Sequence, residues 1–156
     1  MAKKETSKTI LNQAVADLSQ FSAIIHQIHW YLRGPRFLAL HPKMDEYRAE
    51  AEAQLDAVAE RLIAIGGAPF STMGEFSTST KLKDQKGDFG ASEETHLERL
   101  LEGYQYIAGL YQQGIDIASE EEDAVTEDLF TGLKGPIDTN IWMISATLGK
   151  DVPKAK

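Results

Sequence analysis

Five side chains of the kinds that bind transition metals lie between residues 29 and 60: His29, His41, Asp45, Asp56 and Glu60. His41 and Asp45 are four residues apart, as are Asp56 and Glu60, so on a helix these four share a stripe roughly 100° wide. Imidazoles and carboxylates together suit iron, manganese or zinc, and oxygen ligands favour the harder ions. Each residue alone has an ordinary alternative, because acidic side chains on helices usually face water and a histidine near a helix end is often a cap. The set as a whole therefore carries the prediction of a metal site.

Distance along the helix prevents a single chain from completing this site. Asp45 and Asp56 are eleven residues apart, which is about 16 Å along a helix axis. Two copies packed antiparallel about a two-fold axis remove the difficulty, because residues whose numbers have a constant sum then face each other. The pairs His41–Glu60 and Asp45–Asp56 have the same sum, 101. One register therefore predicts two identical sites at a symmetric dimer interface.

His29 joins the set through the predicted turn between the first two helices. Gly34–Pro35 ends the first helix, since proline disfavours helical geometry in the residue before it. His29 and His41 are equidistant from Pro35. We therefore predict that each site takes His29, His41 and Asp45 from one chain and Asp56 and Glu60 from the second copy.

Apolar residues at helical spacing predict four long helices that position these side chains. Over residues 10–33 and 40–65 they recur every three or four positions, and Gly66–Gly67 ends the second helix. A third helix begins at Ser92, and a fourth opens with the capping-box spacing Ser119–Glu122. Pro136 lies inside the pattern of the fourth helix and is expected to kink or divide it.

The long polar connection at residues 66–91 identifies the type of bundle. A connection of this length usually carries a short helix or a function, and we predict a short helix at residues 71–76 capped by Ser71. Four long helices with one long crossover predict an all-α, ferritin-like four-helix bundle, with the short extra helix between helices two and three. We place the bundle at residues 9–149, between a flexible N-terminal tail at 1–8 and a C-terminal tail at 150–156.

Composition excludes several other classes of protein. The 156 residues suit one domain, and they include no cysteine, which excludes disulfide scaffolds and thiolate metal sites. The net charge of −8 excludes binding of nucleic acid over the whole surface, because phosphate affinity comes from clustered cations. No window approaches the roughly 18 apolar residues of a membrane span. We expect a soluble, cytoplasmic protein with no membrane partner.

Several of these segments resemble the signature of the Dps family (DNA-binding protein from starved cells), the miniferritins. They are the run HQIHWYLRG at 26–34, His41-x-x-x-Asp45 and Asp56-x-x-x-Glu60-Arg61. The resemblance implies a hollow homododecamer with twelve ferroxidase centres between subunits. These centres would oxidise Fe(II), preferably with hydrogen peroxide, and the shell would store the ferric mineral and protect the cell from oxidative stress.

The resemblance assigns the same five ligands that the two-fold argument reaches from spacing alone. It implies two iron ions in each centre, one held tightly and one weakly, with zinc or other divalent ions able to substitute. Two alternatives remain open: a DNA-compacting nucleoid protein with incidental metal sites, and a cage that sequesters zinc or manganese. DNA binding is disfavoured, because the body of the protein is acidic and only the tails, with Lys3, Lys4, Lys8, Lys150, Lys154 and Lys156, could contact phosphate.

Residues outside this set carry weaker predictions. Trp30 either supplies electrons that quench oxidising equivalents or packs at the dimer interface, which we favour; Trp142 has the same two interpretations. His26 lies one turn before His29 and is more often a core or interface residue than a hydrogen-bond partner of a ligand. Glu93-x-x-His96 matches half of a dinuclear-iron motif without a second copy, and we interpret it as surface charge at a helix start. The resemblance places acids of the cluster at 120–128, Asp128 among them, in pores that admit Fe(II).

Overall fold

The computed structural model describes residues 4–154, which form five helices and no strand. The helices are α1 (Ser7–Tyr31), α2 (Phe37–Ala64), α3 (Met73–Ser79), α4 (Glu93–Glu120) and α5 (Ala124–Thr147). α1 packs against α2 and α4, α4 packs against α5, and the short α3 lies on α1. The predicted all-α bundle with a short helix between the second and third long helices is confirmed. No helix within residues 4–154 has the length and apolar character needed to cross a bilayer.

Aromatic side chains fill the centre of the bundle. Phe21 of α1 meets Tyr104 of α4 edge to face, with ring centroids 4.8 Å apart, and Tyr111 packs beside Phe130 of α5 at 5.7 Å. All four are almost fully buried. Gly114 makes the second contact possible, because a Cβ at this position would collide with the Phe130 ring. Burial of these rings and of the aliphatic stripes drives the association of the four long helices.

A buried carboxylate fixes the path of the long connection. Asp17 of α1 has no exposed surface, and it accepts hydrogen bonds from the Thr80 hydroxyl (2.8 Å), the Lys81 amide (2.8 Å), the Tyr106 hydroxyl (2.7 Å) and the Gln13 side-chain amide (3.0 Å). Burial and the bond to Asp17 raise the pKa of the Tyr106 hydroxyl, which therefore remains a donor. Asp17 thus ties the end of α3 to both α1 and α4.

The start of the fourth long helix differs from the prediction. Ser119 does not cap it, because α4 continues to Glu120 and α5 begins after Asp123. Glu122 adopts a left-handed conformation with φ 57°, which ends α4 and turns the chain. The Asp123 carboxylate then accepts a hydrogen bond from the Thr126 amide at 3.1 Å and caps α5. The acidic segment at 121–123 therefore forms the turn between α4 and α5, and it does not form the predicted capping box.

Three smaller boundaries also differ from the expectations. Pro136 does not divide α5, which is continuous on both sides of it. Thr72, not Ser71, caps the short helix, because its hydroxyl and the Glu75 carboxylate bond each other's backbone amides in a capping box. α1 begins at Ser7, inside the segment 1–8 that we predicted as a tail. Residues 1–3 and 155–156 of the two predicted tails, with Lys3 and Lys156, lie outside the described range.

Candidate metal centre

The corner between α1 and α2 sets the position of the two histidines. Gly34 has φ +150°, and a Cβ there would run into the Glu93 side chain. The Glu93 carboxylate accepts a hydrogen bond from the Arg36 amide at 3.1 Å and forms an ion pair with the Arg36 guanidinium. Arg36 also donates to the Thr147 carbonyl at the end of α5 (3.0 Å). The corner is therefore anchored to both α4 and α5.

This arrangement corrects our interpretation of Glu93-x-x-His96 as surface charge. Glu93 is 8% exposed and His96 is 6% exposed. Glu93 serves as an internal anchor for Arg36, whereas His96 Nε2 is buried without a hydrogen-bond partner among the described residues. The sequence alone does not distinguish an internal anchor from surface charge, because acidic residues are common in the first turn of any helix.

Burial of His96 predicts a dependence of stability on pH. Desolvation, together with the positive charge of Arg99, lowers the pKa of His96 from 6.5, and Asp88 opposes this shift. The unfolded chain therefore takes up the proton at a higher pH than the folded chain, so folding stability falls as the pH drops below about 6.5. We expect the decrease in melting temperature between pH 7.5 and pH 5.5 to be smaller in His96→Leu than in the wild type. Equal decreases in both proteins would contradict this role.

His29 and His41 form a stacked and reciprocally bonded pair. Their ring centroids are 3.7 Å apart and their planes differ by 19°. His29 Nδ1 lies 2.9 Å from the His41 carbonyl oxygen, and His41 Nδ1 lies 2.9 Å from the His29 carbonyl oxygen. A carbonyl oxygen can only accept, so each Nδ1 carries the proton and donates. Each Nε2 is left with its lone pair, which is the form that binds a metal ion.

Asp45, the third predicted ligand of this half, lies beside His29. Its Oδ1 lies 3.5 Å from His29 Nδ1, and 59% of its side chain is exposed. The helical spacing of four residues brings Asp45 one turn beyond His41 on α2. The structure therefore brings His29, His41 and Asp45 together at one end of α2, beside the anchored corner.

The other two predicted ligands lie farther along the same helix. Asp56 and Glu60 are both exposed on α2. Within residues 4–154, no three side chains of the His, Asp and Glu types are placed to hold one ion in a single chain. Glu60 and Asp128 line the same open depression between α2 and α5. The five predicted ligands thus form two separate groups on one protomer.

Two members of the acidic cluster have structural roles in the turn before α5. Glu121 Oε2 accepts a hydrogen bond from the Ser7 amide at 3.0 Å and caps α1, and hydrogen bonds from Ser7 lower its pKa. Asp123 caps α5 and pairs with Arg61 at 2.9 Å. Asp128 remains exposed. The assignment of acids to a pore stays a prediction for the rest of the cluster.

The aromatic residues near the histidines are arranged as one row. His26 packs on Trp30 with ring centroids 3.8 Å apart and lies 5.9 Å from His29. Trp30 is 58% exposed and Trp142 is 53% exposed. Exposure of both indoles on one protomer suits a contact with another subunit, and a redox role stays a prediction. Sequence analysis missed Phe37, which stacks on His41 at 4.8 Å; its spacing of four residues before His41 was the available signal.

Residues 8–152 match the ferritin-like domain family. A protein of Streptococcus suis named DNA protection during starvation protein is 51% identical over 144 residues, which cover 92% of this chain and 84% of that one. A histidine-to-glycine mutant of Dps from Listeria innocua superposes with TM-score 0.94 at 40% identity, over 96% and 97% of the two chains. A zinc-soaked structure of the same Listeria protein gives TM-score 0.89 at 42% identity, over 92% and 97%.

Proposed function

The chain belongs to the ferritin-like Dps family, and we propose that it is a ferroxidase and an iron store. It oxidises Fe(II) at centres shared between two subunits, preferably with hydrogen peroxide. It keeps the ferric product inside a homododecameric shell in the cytoplasm. Iron storage and DNA protection are the general functions of the family.

The observation that carries this proposal is the pair of imidazoles with both Nδ1 atoms engaged by backbone carbonyls. Such bonds fix the tautomer and the direction of a metal-binding histidine before any metal arrives. Asp45 adds a carboxylate beside the pair. Asp56 and Glu60 lie on the same helix, in the register that two-fold pairing requires. A donor set of two imidazoles and three carboxylates fits ferrous iron as a substrate.

The five proposed ligands have different roles, which follow from the chemistry of their side chains. His29 and His41 hold the entering ferrous ion, because imidazole is a favourable ligand for Fe(II). Asp45, with Asp56 and Glu60 of the partner subunit, supplies negative charge that favours the ferric product. One peroxide takes one electron from each of two ferrous ions and, with two protons, becomes two waters. Because both electrons leave together, no hydroxyl radical is released.

We propose that each centre binds two ions, and the uneven surroundings of the donors support unequal affinities for them. His29 is largely buried, whereas Asp45 is mostly exposed. An ion that binds nearer the buried imidazole is held by pre-oriented ligands, whereas one that binds nearer the exposed carboxylate must order its ligand on binding. We propose that the first ion is the tight one, and that zinc or another divalent ion can replace it.

Anaerobic titration with Fe(II), followed by peroxide, tests the proposal. We expect saturable Fe(II) binding, rapid oxidation of about two Fe(II) per peroxide, and a soluble ferric core in a particle of dodecameric mass. Asp56→Ala with Glu60→Ala should lower the initial rate at least about a hundredfold, because it removes carboxylates that stabilise the product. Glu102→Ala with Asp116→Ala removes two exposed carboxylates from α4 and serves as the control. Equal rates in both double variants would show that the site is assigned wrongly.

Chemical protection is favoured over DNA compaction by the state of the basic residues near the chain ends. Lys4 lies 4.0 Å from the Glu120 carboxylate, and Lys150 pairs with Glu98 at 2.6 Å. Lys8 donates to the Gly66 carbonyl at 3.3 Å. These lysines lie beside acidic or carbonyl groups of the body, which weakens the positive potential that they offer to phosphate. A mobility shift of DNA with iron-free protein, weakening steeply with salt, would instead support compaction.

A cage that mainly sequesters zinc or manganese remains the other candidate. The same five donors suit these ions, and Dps of Listeria innocua has been soaked with zinc in crystals. Competition separates the two functions: if zinc displaces Fe(II) at equal concentration and peroxide then oxidises no iron, sequestration would be the better description.

A further inference from the structure

We infer that Phe37 is a positioning residue of the proposed centre: its ring holds the His41 imidazole in the orientation that presents Nε2 to iron. This inference rests on the proposed function, since it concerns the same site. Phe37 is the first residue of α2 and lies one helical turn before His41. Its ring stacks on His41 with centroids 4.8 Å apart and planes 27° apart.

Two aromatic rings therefore stack against the His41 ring. His29 covers one face at 3.7 Å, and Phe37 packs against the ring as well. Rotation about the Cβ–Cγ bond of histidine is otherwise soft, because this torsion has a broad, two-fold profile. Any large rotation must sweep the imidazole through the space occupied by its two neighbours. The edge of the His41 ring that carries Nε2 therefore keeps one direction.

The hydrogen bond from His41 Nδ1 does not by itself fix the orientation of the imidazole ring. It fixes one atom of the ring at 2.9 Å from the His29 carbonyl oxygen, and the plane can still swing about that bond. Stacking restrains the plane itself. The two restraints are complementary, and together they reduce the ordering that metal binding would otherwise require.

The main chain holds Phe37 in place. The Phe37 amide donates to the Gly34 carbonyl at 3.1 Å, and the adjacent Arg36 is anchored by Glu93. Phe37 is only partly buried and lies outside the apolar core of the bundle. The Phe37 ring therefore contributes more to the orientation of His41 than to the stability of the fold. A substitution of Phe37 leaves the core intact.

Cobalt titration of metal-free, assembled protein tests this role, because Co²⁺ absorption reports both affinity and ligand geometry. We expect Phe37→Leu and Phe37→Met to bind Co²⁺ about threefold to tenfold more weakly, as the loss of an aromatic contact predicts. The absorption bands should broaden, and the KM for Fe(II) should rise more than kcat falls. Phe37→Tyr keeps a ring and should restore binding to within about twofold. Leu38→Ala, at the adjacent and 87% exposed position, is the matched control.

The outcomes separate this inference from the proposed function. Wild-type Co²⁺ binding in Phe37→Leu, or weak binding in Phe37→Tyr equal to that in Phe37→Leu, would overturn the positioning role. Failure of both Leu and Met variants to assemble would also overturn it, because Phe37 would then be a packing residue. If His41→Ala leaves Co²⁺ binding and iron oxidation unchanged, the metal centre itself is misassigned.

Discussion

Co-expression of two inactive variants in equal amounts is expected to restore about a quarter of the wild-type rate of Fe(II) oxidation. One variant carries His41→Ala with Asp45→Ala, and the other carries Asp56→Ala with Glu60→Ala. In a shared site, each chain supplies one half to each of two centres. A mixed dimer therefore contains one centre with both halves intact and one with neither. Random pairing makes half of the dimers mixed, so about one centre in four is complete.

The control for this experiment is each variant expressed alone, for which we expect almost no oxidation. Mass spectrometry of the intact particles measures the proportion of the two chains. If a mixture of known composition stays as inactive as its components, the two halves do not come from different chains. Full activity in either variant alone would also contradict the shared site.

Replacement of Asp17 by alanine is expected to cause the largest loss of stability among single substitutions of polar residues. The change removes the fully buried acceptor of the Lys81 amide and of the Tyr106 and Thr80 hydroxyls. A donor that loses its acceptor costs about 1–3 kcal/mol where it is buried and less where water reaches it, so we expect a total of about 3 kcal/mol. Thermal unfolding at one fixed protein concentration measures the effect, because assembly contributes to stability.

Two variants sharpen the test of Asp17. Tyr106→Phe removes one of the four hydrogen bonds and should cost only about 1 kcal/mol. Asp116→Ala removes an exposed carboxylate of α4 that bonds only the neighbouring Gln112, and we expect almost no change. If Asp17→Ala melts within a degree or two of Asp116→Ala, the connection is held by other contacts. Proteolysis within residues 80–91 should meanwhile become faster in Asp17→Ala, since this segment loses its anchor.

The helices and the pairs of candidate ligands were predictable because both depend on spacing along the chain. The apolar period of α1 and α2 is strong, and His41 with Asp45 lie on one face whatever packs nearby. Asp17 was not predictable, because nothing local shows that its acceptors meet donors 63 to 89 residues away. The Arg36–Glu93 pair is also long-range, because its members are 57 positions apart in the sequence. Such contacts depend on the tertiary arrangement, and local propensity carries no record of them.

At the start of α5, by contrast, a local sequence pattern led to a wrong prediction. Ser119 and Glu122 have capping-box spacing, but the apolar stripe of α4 continues up to Ala118, which is fully buried and directly precedes Ser119. Burial of that last turn of α4 outweighs the local preference of serine for a cap. The true cap, Asp123, is stabilised by Arg61 of α2, which again only the folded chain reveals.

The reciprocal bonds between His29 and His41 use main-chain oxygens as acceptors. Loss of one imidazole therefore leaves the hydrogen-bond acceptor of the other in place, although the remaining ring loses a stacking neighbour. The five residues between α1 and α2, 32–36, have no such tolerance. An insertion or deletion of a single residue there would turn one backbone against the other and misdirect both rings at once. The length of this segment is therefore more tightly constrained than the identity of any one side chain within it.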